Sequence, residues 1–141
     1  MRTVEWQDGK VKMIDQLRLP SELVILEYAD WRGVADAIKT MKIRGAPAIG
    51  AAAAFGIALA AWQNRDKGRP QLLAELAHAA DGLAQTRPTA VNLFWALQRM
   101  NRVANAAGLK TPEAIVNALL AEAQHIADED VAACKLSLIH I

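Results

Sequence analysis

The feature that most constrains the fold is an uncharged, alanine-rich run over residues 46–62. Pro47, Gly50 and Gly56 interrupt the run, and its large apolar residues are sparse for a membrane span. Small side chains let neighbouring helices approach closely, and a helix that is apolar all round is usually buried. The run therefore predicts a helix at the centre of a helical bundle, with a membrane-spanning helix as the less favoured alternative.

The composition is typical of a globular chain with a core. Of the 141 residues 53% are hydrophobic and 22% are charged, and the net charge is +1. This balance argues against nucleic acid or an acidic membrane as a partner, since either would favour a basic excess. The single cysteine, Cys134, excludes an internal disulfide and a cysteine-based zinc site. The first residues contain no apolar signal region, so we expect a cytoplasmic protein.

The first part of the chain predicts a small antiparallel meander. Residues 3–7 and 10–15 alternate apolar and polar around Asp8-Gly9, a pair typical of a type I′ hairpin turn. Residues 23–27 predict a third strand. Such a sheet needs a helical layer to cover its apolar face.

About five helices are predicted to follow, each with a recognisable start. Asp30 and Thr89 are expected to cap two of them, Pro47 and Pro70 are expected to open two others, and Thr111-Pro112 is expected to start the last. The predicted fold class is therefore α+β and mostly helical.

One N-terminal domain is expected, made of the β-meander over residues 1–29 and the helical bundle over residues 30–135. Residues 136–141 (LSLIHI) break the amphipathic pattern, and they are also the translation of a common sequencing-adapter end. We expect a non-native tail there, with a short C-terminal strand as the alternative.

Candidate chemistry is concentrated where the alanine-rich helix begins. The first N–H groups of a helix lack intrahelical partners, and Gly45 and Ala46 offer no side chain to cap them. Arg44 adds a positive charge beside the positive end of the helix dipole. This pattern is typical of a phosphate or carboxylate site. The alternative is a tight turn with Arg44 in solvent.

Arg87 stands before a second proline-led helix start, and Pro88 forces it out of helical geometry. If the two helix starts converge, Arg44 and Arg87 would clamp one phosphate between them. The alternative is a solvated arginine that binds nothing.

The other chemistry-bearing residues predict no further site. His78 and His125 have no partners at metal-ligand spacing, so no metal site is expected. Residues 128–130 are expected to form a solvated acidic face, and Cys134 is expected to be inert. Core packing is expected for the four tryptophans, Trp6, Trp31, Trp62 and Trp95.

The strings RGAPAIG (residues 44–50) and TRPTAVNL (residues 86–93) resemble the N-terminal part of the methylthioribose-1-phosphate isomerase family, aldose–ketose isomerases of methionine salvage. The resemblance covers essentially everything before the tail. It implies that Arg44, Gly45, Ala46 and Arg87 contact a small-molecule sugar phosphate, without a metal or an organic cofactor. It also implies a homodimer for the full-length protein.

The resemblance implies that part of the family's protein is absent. Family members are much longer and have a C-terminal Rossmann-like domain with a catalytic cysteine and an aspartate proton donor, and Cys134 does not match that cysteine's motif. We therefore assign no catalytic residue and expect this chain to be inactive alone. We also expect an exposed apolar patch and a tendency to associate.

Two alternatives within the same superfamily stay open. One is an enzyme like ribose-1,5-bisphosphate isomerase. The other is a non-catalytic protein like the regulatory subunits of the initiation-factor exchange complex, which need not keep both arginine motifs.

Overall fold

The computed structural model describes residues 4–7, 9–14, 25–40, 46–87, 91–106 and 111–139. These ranges contain a three-stranded sheet and five helices. The strands are β1 (Val4–Gln7), β2 (Lys10–Ile14) and β3 (Ile25–Tyr28), and the helices are α1 (Trp31–Lys39), α2 (Ala46–Gln63), α3 (Arg69–Ala84), α4 (Val91–Ala104) and α5 (Pro112–Ile139). The predicted α+β, mostly helical fold is confirmed.

Helix α2 lies at the centre of the molecule. It packs against the other four helices and against β1 and β2, and every residue from 49 to 61 is buried. Its small residues allow this close packing: a Cβ on Gly56 would lie 3.2 Å from Leu83 of α3 and 3.4 Å from Val34 of α1. The prediction of a central buried helix is therefore confirmed. Within the described ranges, none of the helices has the combination of length and apolarity that crossing a membrane requires.

The sheet is an antiparallel meander in the order β1-β2-β3. Val4, Val11 and Met13 are buried, and they belong to the two strands that pack against α2. Gly9 has a φ of 79°, as the predicted hairpin turn requires. β3 ends at Tyr28, one residue later than predicted, because Tyr28 pairs with Val11 of β2. The apolar pattern of residues 23–27 alone cannot predict which residue pairs with Val11.

Trp62 ties the C-terminal end of α2 to the sheet. Its ring meets that of Trp6 edge to face, with centroids 5.9 Å apart. Gly9 lies so close to the same ring that a Cβ there would be 2.6 Å from Trp62 Nε1. The guanidinium carbon of Arg65 lies 4.1 Å from the ring centroid, and Arg65 Nη1 donates to the Trp62 carbonyl at 2.7 Å.

Side-chain caps are present at the starts of α1 and α5; the sequence predicts the cap at Asp30 and the helix start at Thr111. Asp30 Oδ1 accepts from the Arg32 amide at 2.8 Å, and Thr111 Oγ1 accepts from the Ala114 amide at 3.1 Å. Gln63 Oε1, at the end of α2, accepts from the Trp31 amide at 3.0 Å and so helps to hold the start of α1. Thr89 lies outside the described residues.

The expected prolines are in place at two other helix starts. Pro47 and Pro70 are the second residues of α2 and α3, where the missing N–H of proline costs no intrahelical hydrogen bond.

The expectation of core packing is wrong for Trp95. Trp31 is buried, and Trp6 and Trp62 are partly buried against the core, but Trp95 is 44% exposed. The reason is its position on α4, which buries Leu93, Ala96, Leu97 and Met100. Trp95 lies on the opposite side of the helix from that face.

The C-terminal strand considered for residues 136–141 is also wrong for the part that is described, since α5 continues to Ile139. The helical hydrogen-bond pattern continues through residues 136–139 although the amphipathic pattern breaks there. The non-native origin of these residues stays a prediction, as does the division at residues 29 and 135.

Candidate anion site at the starts of α2 and α4

The starts of α2 and α4 lie side by side. Gly50 is in the second turn of α2, and Asn92 is the second residue of α4. A Cβ on Gly50 would lie 3.3 Å from the Asn92 backbone oxygen and 3.7 Å from Asn92 Cβ. Because glycine has no side chain, the backbones of the two helix starts can come close together. Binding of one phosphate by both Arg44 and Arg87 requires such an approach.

The electrostatics of these two starts favour an anion. The first residues of the two helices read APAI and VNLF, and neither first turn contains an acidic side chain. Each helix carries a partial positive charge at its N-terminus, from N–H groups that lack an intrahelical partner. Two such ends at close range reinforce each other, and no carboxylate of their own first turns neutralises them.

The predicted site residues divide into two groups. Ala46 is the first residue of α2, and Arg87 is a half-buried residue in the connection from α3 to α4. Arg44 and Gly45 lie outside the described residues. The contact of Arg44, Gly45, Ala46 and Arg87 with a substrate stays a prediction.

The residue before Arg87 is held firmly. The Thr86 hydroxyl donates to the Leu83 carbonyl at 2.6 Å, and the Thr86 amide donates to the same carbonyl at 3.1 Å. These hydrogen bonds close the last turn of α3. Arg87 therefore leaves the helix from a defined point rather than from a frayed end.

A cleft of about 320 Å³ lies between the C-terminal ends of α1 and α3. Its walls carry Asp36 and Lys39 on one side and Gln85 and Thr86 on the other. One wall is the C-terminal end of α1, which precedes Arg44 in the sequence. The other wall is the C-terminal end of α3 and the two residues before Arg87. The cleft is thus lined by Thr86, the residue directly before Arg87 in the chain.

A second cavity, of about 330 Å³, is at the other end of α2. Trp62, Arg65 and Glu113 are among its lining residues. Residues 46 and 62 are separated by about 24 Å along an α-helix, at 1.5 Å per residue. This cavity is therefore distinct from the convergent helix starts.

The histidines occupy positions that need no ligand to explain them. The exposed His78 places its ring edge to face on Trp31, with centroids 5.7 Å apart, and His125 is exposed. Within the described part of the chain, no group of three or more His, Cys, Asp or Glu residues could hold a metal ion.

The sequence predicts an exposed apolar patch but not its place, and the structure has an exposed apolar group near the α4 start. Val91 is 77% exposed, Phe94 is 37% exposed and Trp95 is 44% exposed. Their spacing at i, i+3 and i+4 could have indicated them, because it marks one helix face, and that face differs from the one carrying Leu93 and Leu97.

Curated relatives match almost the whole chain. Methylthioribose-1-phosphate isomerase of Geobacter metallireducens is 53% identical over 136 residues, and that of Geobacter sulfurreducens is 50% identical over 134 residues. Each match covers 95% of this chain and 39% of the relative. The chain thus spans about two-fifths of the length of these relatives.

Two crystal structures share the fold. 5-Methylthioribose 1-phosphate isomerase from Pyrococcus horikoshii superposes with a TM-score of 0.86 at 44% identity, over 91% of this chain and 36% of that one. The delta subunit of translation initiation factor eIF-2B from A. fulgidus superposes with a TM-score of 0.85 at 43% identity, over 93% of this chain and 38% of that one. The sequence pattern of the initiation factor 2 subunit family matches residues 42–138. Because that match includes most of the chain, the chain belongs to the initiation factor 2 subunit family.

Proposed function

We propose that this chain is the substrate-phosphate-binding part of a methylthioribose-1-phosphate isomerase. The enzyme would convert 5-methylthioribose 1-phosphate to 5-methylthioribulose 1-phosphate in methionine salvage. The observation that carries the proposal is the close approach of the α2 and α4 starts at Gly50 and Asn92. The names of the relatives at about 50% identity supply the substrate.

The phosphate of this substrate suits two convergent helix starts. A phosphate accepts several hydrogen bonds at once, and free N–H groups at a helix start are well oriented donors. Arg44 and Arg87, each just before one of these helices, would add charge-assisted and potentially bidentate hydrogen bonds. Gly45 and Ala46 would let the phosphate approach the backbone, because neither has a side chain large enough to block it.

The role of this part of the enzyme would be to hold the substrate rather than to transfer hydrogen. The anomeric phosphate locks the sugar ring, so ring opening must accompany the transfer between C2 and C1. A phosphate fixed at one point restricts the positions that C1 and C2 can adopt and helps to keep water away. We assign no catalytic residue to the chain, and we propose that the longer protein is a cytoplasmic homodimer.

The test measures the binding of 5-methylthioribose 1-phosphate to the 141-residue chain. Protein-observed NMR is used, with ligand concentrations up to the millimolar range. Arg44→Ala and Arg87→Ala should each weaken binding about tenfold or more, since each removes a charged donor from the phosphate. Arg102→Ala is the matched control, because Arg102 is an exposed arginine in the last turn of α4. Equal affinity in all three variants and the parent chain would contradict the proposal.

A second candidate function is supported by the structural match to the eIF-2B delta subunit. In that case the chain would belong to a non-catalytic regulatory protein. An activity assay of the longer protein separates the isomerase from the regulatory protein. NMR of the sugar measures whether the aldose phosphate is converted to the ketose phosphate. An enzyme forms the ketose, whereas a regulatory subunit leaves the aldose unchanged even where it binds it.

A further inference from the structure

The chain leaves α3 toward Arg87 through Thr86, which is anchored to that helix twice. The Thr86 hydroxyl donates to the Leu83 carbonyl at 2.6 Å, and the Thr86 amide donates to the same oxygen at 3.1 Å. Leu83 is fully buried, so the accepting carbonyl belongs to a residue that the core holds in place. Thr86 is therefore fixed relative to the body of the helical bundle.

The backbone of Arg87 is restricted from the other side as well. The next residue in the sequence is Pro88, and a residue before proline is confined largely to extended backbone. Arg87 thus follows an anchored threonine and precedes a proline. Arg87 is also half-buried, which limits the positions that its long side chain can adopt.

The Thr86 hydroxyl is poorly suited to bind an anion itself. A carbonyl oxygen only accepts hydrogen bonds, so the hydroxyl uses its single proton in the bond to Leu83. The groups that it has left are lone pairs, which repel a phosphate. Thr86 lines the cleft between α1 and α3, but the effect of its hydroxyl on a bound anion is indirect.

We propose that the Thr86 hydroxyl positions Arg87 for the phosphate of the substrate. The proposal rests on the proposed function, in which Arg87 binds that phosphate. Without the hydroxyl, only the amide hydrogen bond to Leu83 closes the end of α3, and Arg87 samples more positions. Binding then has to order the arginine, so affinity falls although the charge of Arg87 is unchanged. Thr86 is thus a positioning residue that acts through Arg87.

The test compares Thr86→Val, which keeps the shape of the side chain without the hydroxyl, with Thr86→Ser, which keeps the hydroxyl. Protein-observed NMR measures the affinity of the 141-residue chain for 5-methylthioribose 1-phosphate. Thr86→Val should raise the dissociation constant about fivefold, and Thr86→Ser should stay within about twofold of the parent chain. In a chain that already carries Arg87→Ala, Thr86→Val should have no further effect, since the residue through which it acts is gone.

Asn105→Ala is the matched control. The Asn105 side-chain amide donates to the Asn101 carbonyl at 2.8 Å, and the Asn105 backbone amide donates to the same oxygen at 3.1 Å. The end of α4 is therefore closed in the same way, but it lies about 20 Å along the helix from the candidate site, at 1.5 Å per residue. Both substitutions should lower the melting temperature slightly, and only Thr86→Val should weaken binding.

The remaining outcomes separate the positioning role from the proposed function. If Arg87→Ala weakens binding but Thr86→Val does not, the positioning role is wrong and the proposed function stands. If Thr86→Val weakens binding by the same factor with and without Arg87, or if Thr86→Ser is as weak as Thr86→Val, the positioning role is again wrong. If Arg87→Ala leaves the affinity unchanged, or if the sugar phosphate does not bind, both proposals are wrong.

Discussion

The two ends of α2 are built from opposite kinds of residue. At its C-terminal end Trp62 packs against Trp6, Gly9 and Arg65, so large groups fill the space between helix and sheet. At its N-terminal end the residues are small, and Gly50 brings the helix to the backbone of α4. The two ends of one helix therefore make different kinds of contact. Side-chain packing stabilises the fold at one end, and at the other a glycine lets two helix starts come close together.

The largest effect on stability is expected at the C-terminal end of α2, from Gly9→Ala. The new Cβ would meet Trp62 Nε1 at 2.6 Å, and a φ of 79° is unfavourable for alanine. Backbone strain and overpacking together should cost about 3 kcal/mol. The melting temperature measured by circular dichroism should fall by roughly 10 °C.

Two further variants sharpen this prediction. Gly68→Ala should be nearly neutral, because its Cβ would meet only Pro70 Cδ at 3.9 Å. Combining Gly9→Ala with Trp62→Ala should cost less than the sum of the single changes, by on the order of 1 kcal/mol. If the costs of the two substitutions in unfolding free energy simply add, contact with Trp62 is not the reason that glycine is needed at position 9.

At the N-terminal end of α2, Gly50→Ala should affect binding more than stability. Alanine gains up to about 1 kcal/mol over glycine in a helix, which offsets the small shift needed at the Asn92 oxygen, 3.3 Å from the new Cβ. Unfolding free energy should change by less than about 1 kcal/mol. The dissociation constant for 5-methylthioribose 1-phosphate should rise about fivefold, since the two helix starts move apart.

Gly56→Ala is the matched control for this prediction. Its Cβ would be equally crowded, at 3.2 Å from Leu83, but it is in the middle of α2, away from the candidate site. It should leave sugar-phosphate affinity unchanged. An equal loss of affinity in both variants would mean that binding follows the general packing of α2 and not the helix starts.

The smallest effect is expected for Arg65→Ala. Arg65 is exposed, and it loses a cation–π contact and one hydrogen bond to the Trp62 carbonyl. The expected cost is about 0.5–1 kcal/mol in chemical denaturation, with no change in sugar-phosphate affinity. Arg65→Lys keeps the cation and should recover part of the loss. A clear change in affinity would contradict the separation of the two ends.

The local features of the fold were predictable because their causes are local. The turn at Gly9, the Asp30 cap, the helix start at Thr111 and the proline at the start of α2 depend on residues a few positions apart. The burial of α2 was predictable for a similar reason, since an uncharged alanine-rich helix has no face that water stabilises.

The remaining features depend on which elements meet. The end of β3 depends on its pairing with β2, and the approach of Gly50 to Asn92 depends on the packing of α2 on α4. For the candidate site, the sequence identified the two arginine motifs but not the convergence of their helices. The exposure of Trp95 was missed because a tryptophan is expected in a core, although its position opposite Leu93 and Leu97 indicated otherwise.

The hydrogen bond from the Trp31 amide to Gln63 Oε1 couples the opening of two helices. Trp31 is the first residue of α1, where an amide would ordinarily exchange with solvent deuterium as the helix end frays. Here the acceptor belongs to the last residue of α2, beside the Trp62 cluster. The Trp31 amide is therefore protected only while the end of α2 stays closed, and its exchange rate reports on opening at the packed end of the central helix.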